Sequence, residues 1–126
     1  MTEAPIAIIT VTYSPGEYLN KFLDSVPTNA RVVMVDNGST DGAPEAAAEA
    51  GRAELIYSGG NVGYGAGMNL GARHLRAARE AGEINPDYLV ISNPDVVFSE
   101  DAIEELLEAA RRHPRAGALG LSLIHI

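Results

Sequence analysis

Apolar positions recur along this chain with two alternating periods. Ile6 to Thr12 is a β-branched apolar run too short for a buried helix, and it predicts a strand covered on both faces. The turn Tyr13-Ser14-Pro15-Gly16 follows it. Leu19, Phe22, Leu23 and Val26 then fall at i, i+3, i+4 and i+7, the spacing of a helix that lays one face on a sheet and stops near Pro27. The unit repeats. Arg31 to Val35 predicts a second strand, Asp36 to Gly42 a polar loop, and Ala43 to Ala50 a helix ended by Gly51. Glu54 to Tyr57 predicts a third strand leading into a long glycine-rich stretch. Met68, Ala72, Leu75 and Ala78 mark a third helix ending at Gly82, and Tyr88 to Ile91 a fourth strand. Ser99 is expected to cap a fourth helix, with Glu100 and Asp101 near its positive end. Ile103, Leu106, Leu107 and Ala110 form its apolar stripe, and Arg111, Arg112 and Pro114 mark its end.

Strands alternating with helices imply an α/β fold: a mostly parallel sheet with helices on both faces, joined by right-handed crossovers. Ligands of such sheets bind at the carboxyl ends of the strands, so the loops after the four strands are the places to look. A length of 126 residues suits one domain. Residues 116–121 look like the opening of another element, whereas Leu121-Ser122-Leu123-Ile124-His125-Ile126 stops without a polar cap or turn. The expectation is a truncated domain in which residues from about 121 onward are a non-native tail; the alternative is a fifth buried strand closing a small complete sheet.

Charge narrows the partners. The net charge of -8 disfavours a nucleic-acid partner or an anionic membrane surface, since these are recruited by Lys and Arg neutralising phosphates. A phosphorylated ligand stays open to an acidic protein if backbone amides or a metal ion carry the positive charge. The absence of cysteine removes disulfides, thiolate metal sites and thiol nucleophiles. No secretory signal is visible at Met1-Thr2-Glu3-Ala4-Pro5, and no apolar run approaches the roughly 20 residues of a membrane span. The expected location is cytoplasmic, with at most peripheral membrane association.

Three segments could carry chemistry. Asn93-Pro94-Asp95 stands at the carboxyl end of the fourth strand, where Pro94 stiffens the backbone that presents Asp95. A carboxylate there can hold a divalent cation that also bridges substrate phosphates; a plain Asx turn would use the same residues. In Asp36-Asn37-Gly38-Ser39-Thr40-Asp41-Gly42, one carboxylate can accept from a ribose hydroxyl or a base N–H, or the segment can simply turn the chain and cap the next helix. The ligand role is assigned to Asp36 and the capping role to Asp41. Gly59 to Gly71 is dense in glycine, which costs folding entropy and answers either to close approach of a ligand or to tight helix–sheet packing at Gly67 and Gly71. It does not follow the dinucleotide fingerprint, because Leu70 stands at the third-glycine position and the segment lies after the third strand. His74, His113 and His125 have no metal or triad spacing.

In order along the chain, Ile9-Thr10-Val11-Thr12-Tyr13-Ser14, Val33 to Gly42, Asn61 to Gly71 and Ser92-Asn93-Pro94-Asp95-Val96 resemble the motifs of family 2 glycosyltransferases of the GT-A fold. Within that family they are most similar to bacterial rhamnosyltransferases that build cell-wall linkers and O-antigens. The resemblance implies that Thr12, Tyr13 and Asp36 hold the nucleoside, with Asp36 meeting the base. It implies that the segment around Asn61, Gly63 and Gly65 closes over nucleotide and sugar, and that Asp95, assisted by Asn93, binds Mg²⁺ or Mn²⁺ on the donor diphosphate. Asn-Pro-Asp replaces the commoner Asp-x-Asp, leaving one carboxylate fewer. The implied reaction is inverting transfer from a nucleotide-diphospho-sugar, best matched to dTDP-rhamnose with a UDP-hexose as alternative, onto a polyprenyl-linked saccharide. The general base is expected beyond residue 126. A stand-alone receiver-like signalling domain is the competing reading, but Thr12-Tyr13-Ser14 lacks its acidic cluster and Ala118-Leu119-Gly120 its lysine.

Overall fold

The computed structural model describes residues 6–84 and 88–115, so the two readings of the chain's end lie outside the described residues. Its elements are β1 (Ile6–Thr12), α1 (Tyr18–Ser25), β2 (Arg31–Asp36), α2 (Ala43–Glu49), β3 (Glu54–Tyr57), α3 (Tyr64–Glu80), β4 (Tyr88–Ser92) and α4 (Ala102–Arg112). The strands are all parallel in the order β3-β2-β1-β4. Every residue of β1 is buried, as its uninterrupted apolar run requires of a central parallel strand.

Side chains alternate across the sheet and build two cores. On one face Ile6, Ile8, Val32 and Met34 meet Leu19, Phe22 and Leu23 of α1, Ala47 of α2, and Ala102 and Ile103 of α4. On the other, Ala7, Ile9, Val11, Val33 and Val35 meet Met68, Leu75 and Ala78 of α3. Helices therefore cover both faces, α1, α2 and α4 on one and α3 on the other. The loop after β4 is tied into the first core: Phe98 sits beside Phe22 with ring centroids 6.0 Å apart, and its N–H donates to Ser25 Oγ at 3.0 Å.

Two helices start where periodicity alone did not place them. The third helix begins at Tyr64, four residues before the first apolar position of its stripe, so Gly65, Gly67 and Gly71 lie inside it. Gly63, at φ 88°, is its N-cap. The fourth helix has Asp101 as its N-cap without a side-chain cap bond. Ser99 contributes its carbonyl instead, accepting from the Ala102 N–H at 3.1 Å, because the chain first has to deliver Phe98 to the core.

At the amino ends of β2 and β3, Arg31 pairs with Glu54 and, at 3.4 Å, with Glu83, while His74 Nε2 lies 3.0 Å from Glu54. The Arg31 guanidinium, more than the opposing burial, holds the Glu54 carboxyl below the ordinary glutamate range. A carboxyl lowered in the folded state adds stability above its unfolded value and loses it as pH falls through the folded one. Chemical denaturation between pH 6 and pH 3 is expected to show Glu54→Gln losing less stability on acidification than the parent chain. The contribution is modest, since both partners are partly solvated.

Candidate functional site at the carboxyl ends of the strands

Each strand delivers its last residues to one edge of the sheet, where the first three of the following loops interlock and the fourth faces the first. The first and second loops are joined by side chains: Ser14 N–H donates to Ser39 Oγ at 2.7 Å, Thr40 N–H to Ser14 Oγ at 3.0 Å, and Gly16 N–H to Asp41 Oδ2 at 2.7 Å. Asp41 Oδ1 accepts from Ala43 N–H at 3.1 Å, tethering the first residue of α2. Asn37 links the second loop to the third, donating through Nδ2 to the Gly63 carbonyl at 3.2 Å. Ser58 Oγ lies 2.7 Å from Asn37 Oδ1 and 2.6 Å from the Gly60 carbonyl. Asn61 Oδ1 in turn accepts from Gly63 N–H at 3.1 Å, which shapes the approach to α3.

The first and fourth loops face each other across an open cavity of about 300 Å³ lined by Ser14, Pro15, Tyr18, Asn93, Pro94 and Asp95. Asn93 and Asp95 are exposed there, as ligands to an incoming group need to be. Asn61, Gly63 and Gly65 lie outside this cavity, on the α3 side of the edge, in a segment tied to the second loop through Asn37 and Ser58. Tyr13 is 63% exposed and lies against Gly38, with its Cε1 3.7 Å from where a Cβ on that glycine would stand.

Beneath this rim, Asp36 is 2% exposed and Thr12 fully buried. Thr12 Oγ1 donates to Asp36 Oδ1 at 2.7 Å, Ser39 N–H to Oδ2 at 3.0 Å and Gly38 N–H to Oδ2 at 3.3 Å, and the Ser39 hydroxyl also reaches Oδ1. The role of Asn37 in bridging loops was not legible in the sequence; its only signal was a second polar residue at the end of an otherwise apolar strand. Two further tyrosines flank the edge. Tyr57 donates its hydroxyl to Glu45 at 2.8 Å, which holds the phenol above its ordinary value, and partial burial raises Tyr64, so both remain neutral donors at pH 7.

The donor set suits a hard divalent cation only in part. Asp95 offers one carboxylate and Asn93 an amide oxygen on the same cavity wall, which matches a Mg²⁺ or Mn²⁺ ion that completes its shell with phosphate oxygens and water. Among the described residues no group of three His, Asp or Glu side chains gathers to form a closed site.

The parallel α/β sheet, with its polar loops gathered at the carboxyl edge, has the GT-A fold of the Staphylococcus aureus TarS structures. The family model for glycosyl transferase family 2 matches residues 7–125, and the chain belongs to that family. It is 42% identical over 122 residues to the N-acetylglucosaminyl-diphospho-decaprenol L-rhamnosyltransferase of Mycobacterium tuberculosis (strain ATCC 25618 / H37Rv), covering 91% of this chain and 40% of the relative. It is 30% identical over 103 residues to the low-salt glycan biosynthesis hexosyltransferase Agl10 of Haloferax volcanii, covering 80% of this chain and 31% of that protein. The chain thus spans well under half the length of these relatives. Its fold matches the Staphylococcus aureus TarS structure in complex with UDP at a TM-score of 0.67 and 16% identity, over 86% of this chain and 32% of the other. Among the described residues no helix is long and apolar enough to cross a membrane.

Proposed function

We propose that this chain is the donor-binding part of an inverting rhamnosyltransferase that takes L-rhamnose from dTDP-rhamnose and passes it to a polyprenyl-diphosphate-linked sugar. The observation that carries this reading is Asp95, with Asn93, exposed on a cavity wall directly opposite the loop that follows β1. The activity named for the mycobacterial relative and the UDP bound by TarS support the acceptor class and the kind of donor.

In this reading the nucleoside lies against Tyr13, on the rim that Thr12 and Asp36 support from below. Its diphosphate points toward Asn93 and Asp95, which would hold Mg²⁺ or Mn²⁺. The bound cation would supply charge neutralisation to the departing nucleoside diphosphate. The sugar lies toward Gly63 and Gly65, where the first amides of α3 have no partner within the helix and can meet its hydroxyls or a phosphate oxygen. The acceptor hydroxyl oxygen bonds to the anomeric carbon as the bond from that carbon to the diphosphate breaks, with inversion. The hydroxyl proton leaves to a base that we place outside these 126 residues, within the part of the relatives this chain does not span. A lipid-linked acceptor would be met at the inner face of the cell membrane by peripheral contact.

Base preference tests the donor assignment. Ligand that binds only the folded state raises the unfolding temperature, and at equal concentration the tighter-binding ligand raises it more. With Mg²⁺ present, dTDP is expected to raise it more than equal concentrations of UDP; a larger rise with UDP would replace the rhamnose donor by a UDP-hexose. This chain alone is expected to release no sugar from either donor.

A further inference from the structure

Asp36 is the residue that the family resemblance assigns to the base, yet its surroundings describe a different task. Each of its oxygens already has two donors from the protein: Thr12 Oγ1 and Ser39 Oγ on Oδ1, and the Gly38 and Ser39 amides on Oδ2. A carboxylate accepts about four hydrogen bonds, so none of its capacity is left for a ligand. With 2% of its surface exposed, it could reach one only by releasing these partners, of which Thr12 is itself fully buried.

The partners lead outward. Ser39 Oγ donates to Asp36 and accepts from the Ser14 amide, and Ser14 Oγ accepts from the Thr40 amide. Ser14 has φ 49° and is the one residue other than glycine with positive φ among the described residues. A side chain with a Cβ disfavours that conformation, and such residues persist where their surroundings hold them. Here the holding groups are Ser39 and Thr40. Ser14 itself lines the cavity opposite Asp95.

We infer that Asp36 is a positioning residue that acts through Ser39: the chain Thr12–Asp36–Ser39–Ser14 holds the cavity wall facing Asp95 in its left-handed turn, and the base is read by the rim above. This rests on the nucleotide-binding reading and changes which residue decides base selectivity. A carboxylate in contact with uracil would accept from the ring N3–H, and an amide in its place would favour cytosine, whose N3 accepts. A carboxylate acting through Ser39 has no such signature.

The test measures UDP and CDP affinity, with amide hydrogen exchange by NMR, for the chain and for Asp36→Asn and Ser39→Ala. Losing a hydrogen bond to a charged group is expected to speed Ser14 amide exchange about tenfold in both variants, with α1 and α3 amides unchanged. Both variants are expected to bind UDP and CDP more weakly in the same proportion, leaving the ratio within about twofold of the parent. A swing of Asp36→Asn toward CDP with Ser14 exchange unaltered would overturn the inference in favour of direct base contact. If Asp36→Asn does not fold, Ser39→Ala decides by the same two readouts. Absence of nucleotide binding by the parent chain would defeat the functional reading alone; the relay would then stand or fall on whether Ser14 exchange responds to Ser39→Ala.

Discussion

Replacing Gly71 with leucine is expected to cost about 3 kcal/mol or more of folding stability. A Cβ at position 71 would stand 2.6 Å from Ile9 Cγ2 and 3.2 Å from Val35 Cγ2, both on central strands and both buried. Branched side chains on fixed strands have little rotamer freedom with which to retreat, so α3 would have to lift off the sheet. Gly71→Ala separates the terms. It gains up to about 1 kcal/mol of helix propensity but must still displace Ile9, and a net loss of about 1 kcal/mol is expected. Gly65→Ala is the control, because nothing lies within 4 Å of a Cβ there and only the propensity gain should register. Urea unfolding of the three variants reads these differences from their midpoints.

The second large effect is on ligand binding, and it leaves the fold intact. Asp95 is exposed and is neither salt-bridged nor in a side-chain hydrogen bond among the described residues, so Asp95→Ala should shift stability by no more than about 0.5 kcal/mol. It supplies the single carboxylate of the Asn-Pro-Asp turn. Removing it leaves Asn93 and water to hold a divalent cation, and metal-dependent nucleotide affinity is expected to fall at least about tenfold, a change of roughly 1.4 kcal/mol. Asp95→Asn should lose nearly as much, since it keeps the shape and removes the charge. Equal loss in the presence of a chelator would point instead to a disturbed loop.

Most of the fold was legible because the strands are buried on both faces and the helices on one. The run Ile6 to Thr12 and the stripe Leu19, Phe22, Leu23 carry their own periods, and the structure has β1 and α1 where those periods put them. Of the two uses open to the glycine-rich stretch, close approach of a ligand or tight helix–sheet packing, the structure has the second at Gly67 and Gly71, where a Cβ would stand 2.9 Å from Val11 Cγ2 and 2.6 Å from Ile9 Cγ2. What failed was local: periodicity cannot see Tyr64 as a helix start when glycines fill the first turn, nor that Ser99 is drawn into a turn by Phe98 entering the core. The site was legible at the level of loops. That Asn93 and Asp95 would face Ser14 and Tyr18 follows from β1 and β4 being neighbours, which the strand order decides and no single segment encodes. The burial of Asp36 was hidden for the same reason, since Thr12 reaches it only when β1 and β2 pair in register as Thr12 with Asp36.

The measurement that bears most directly on the central claim is calorimetric titration of the chain and of Asp95→Ala with dTDP and UDP, each with Mn²⁺ and with chelator. Binding by the parent chain is expected to strengthen with metal and to lose that increment in the variant. Nucleotide binding that is indifferent both to metal and to Asp95 would contradict the claim.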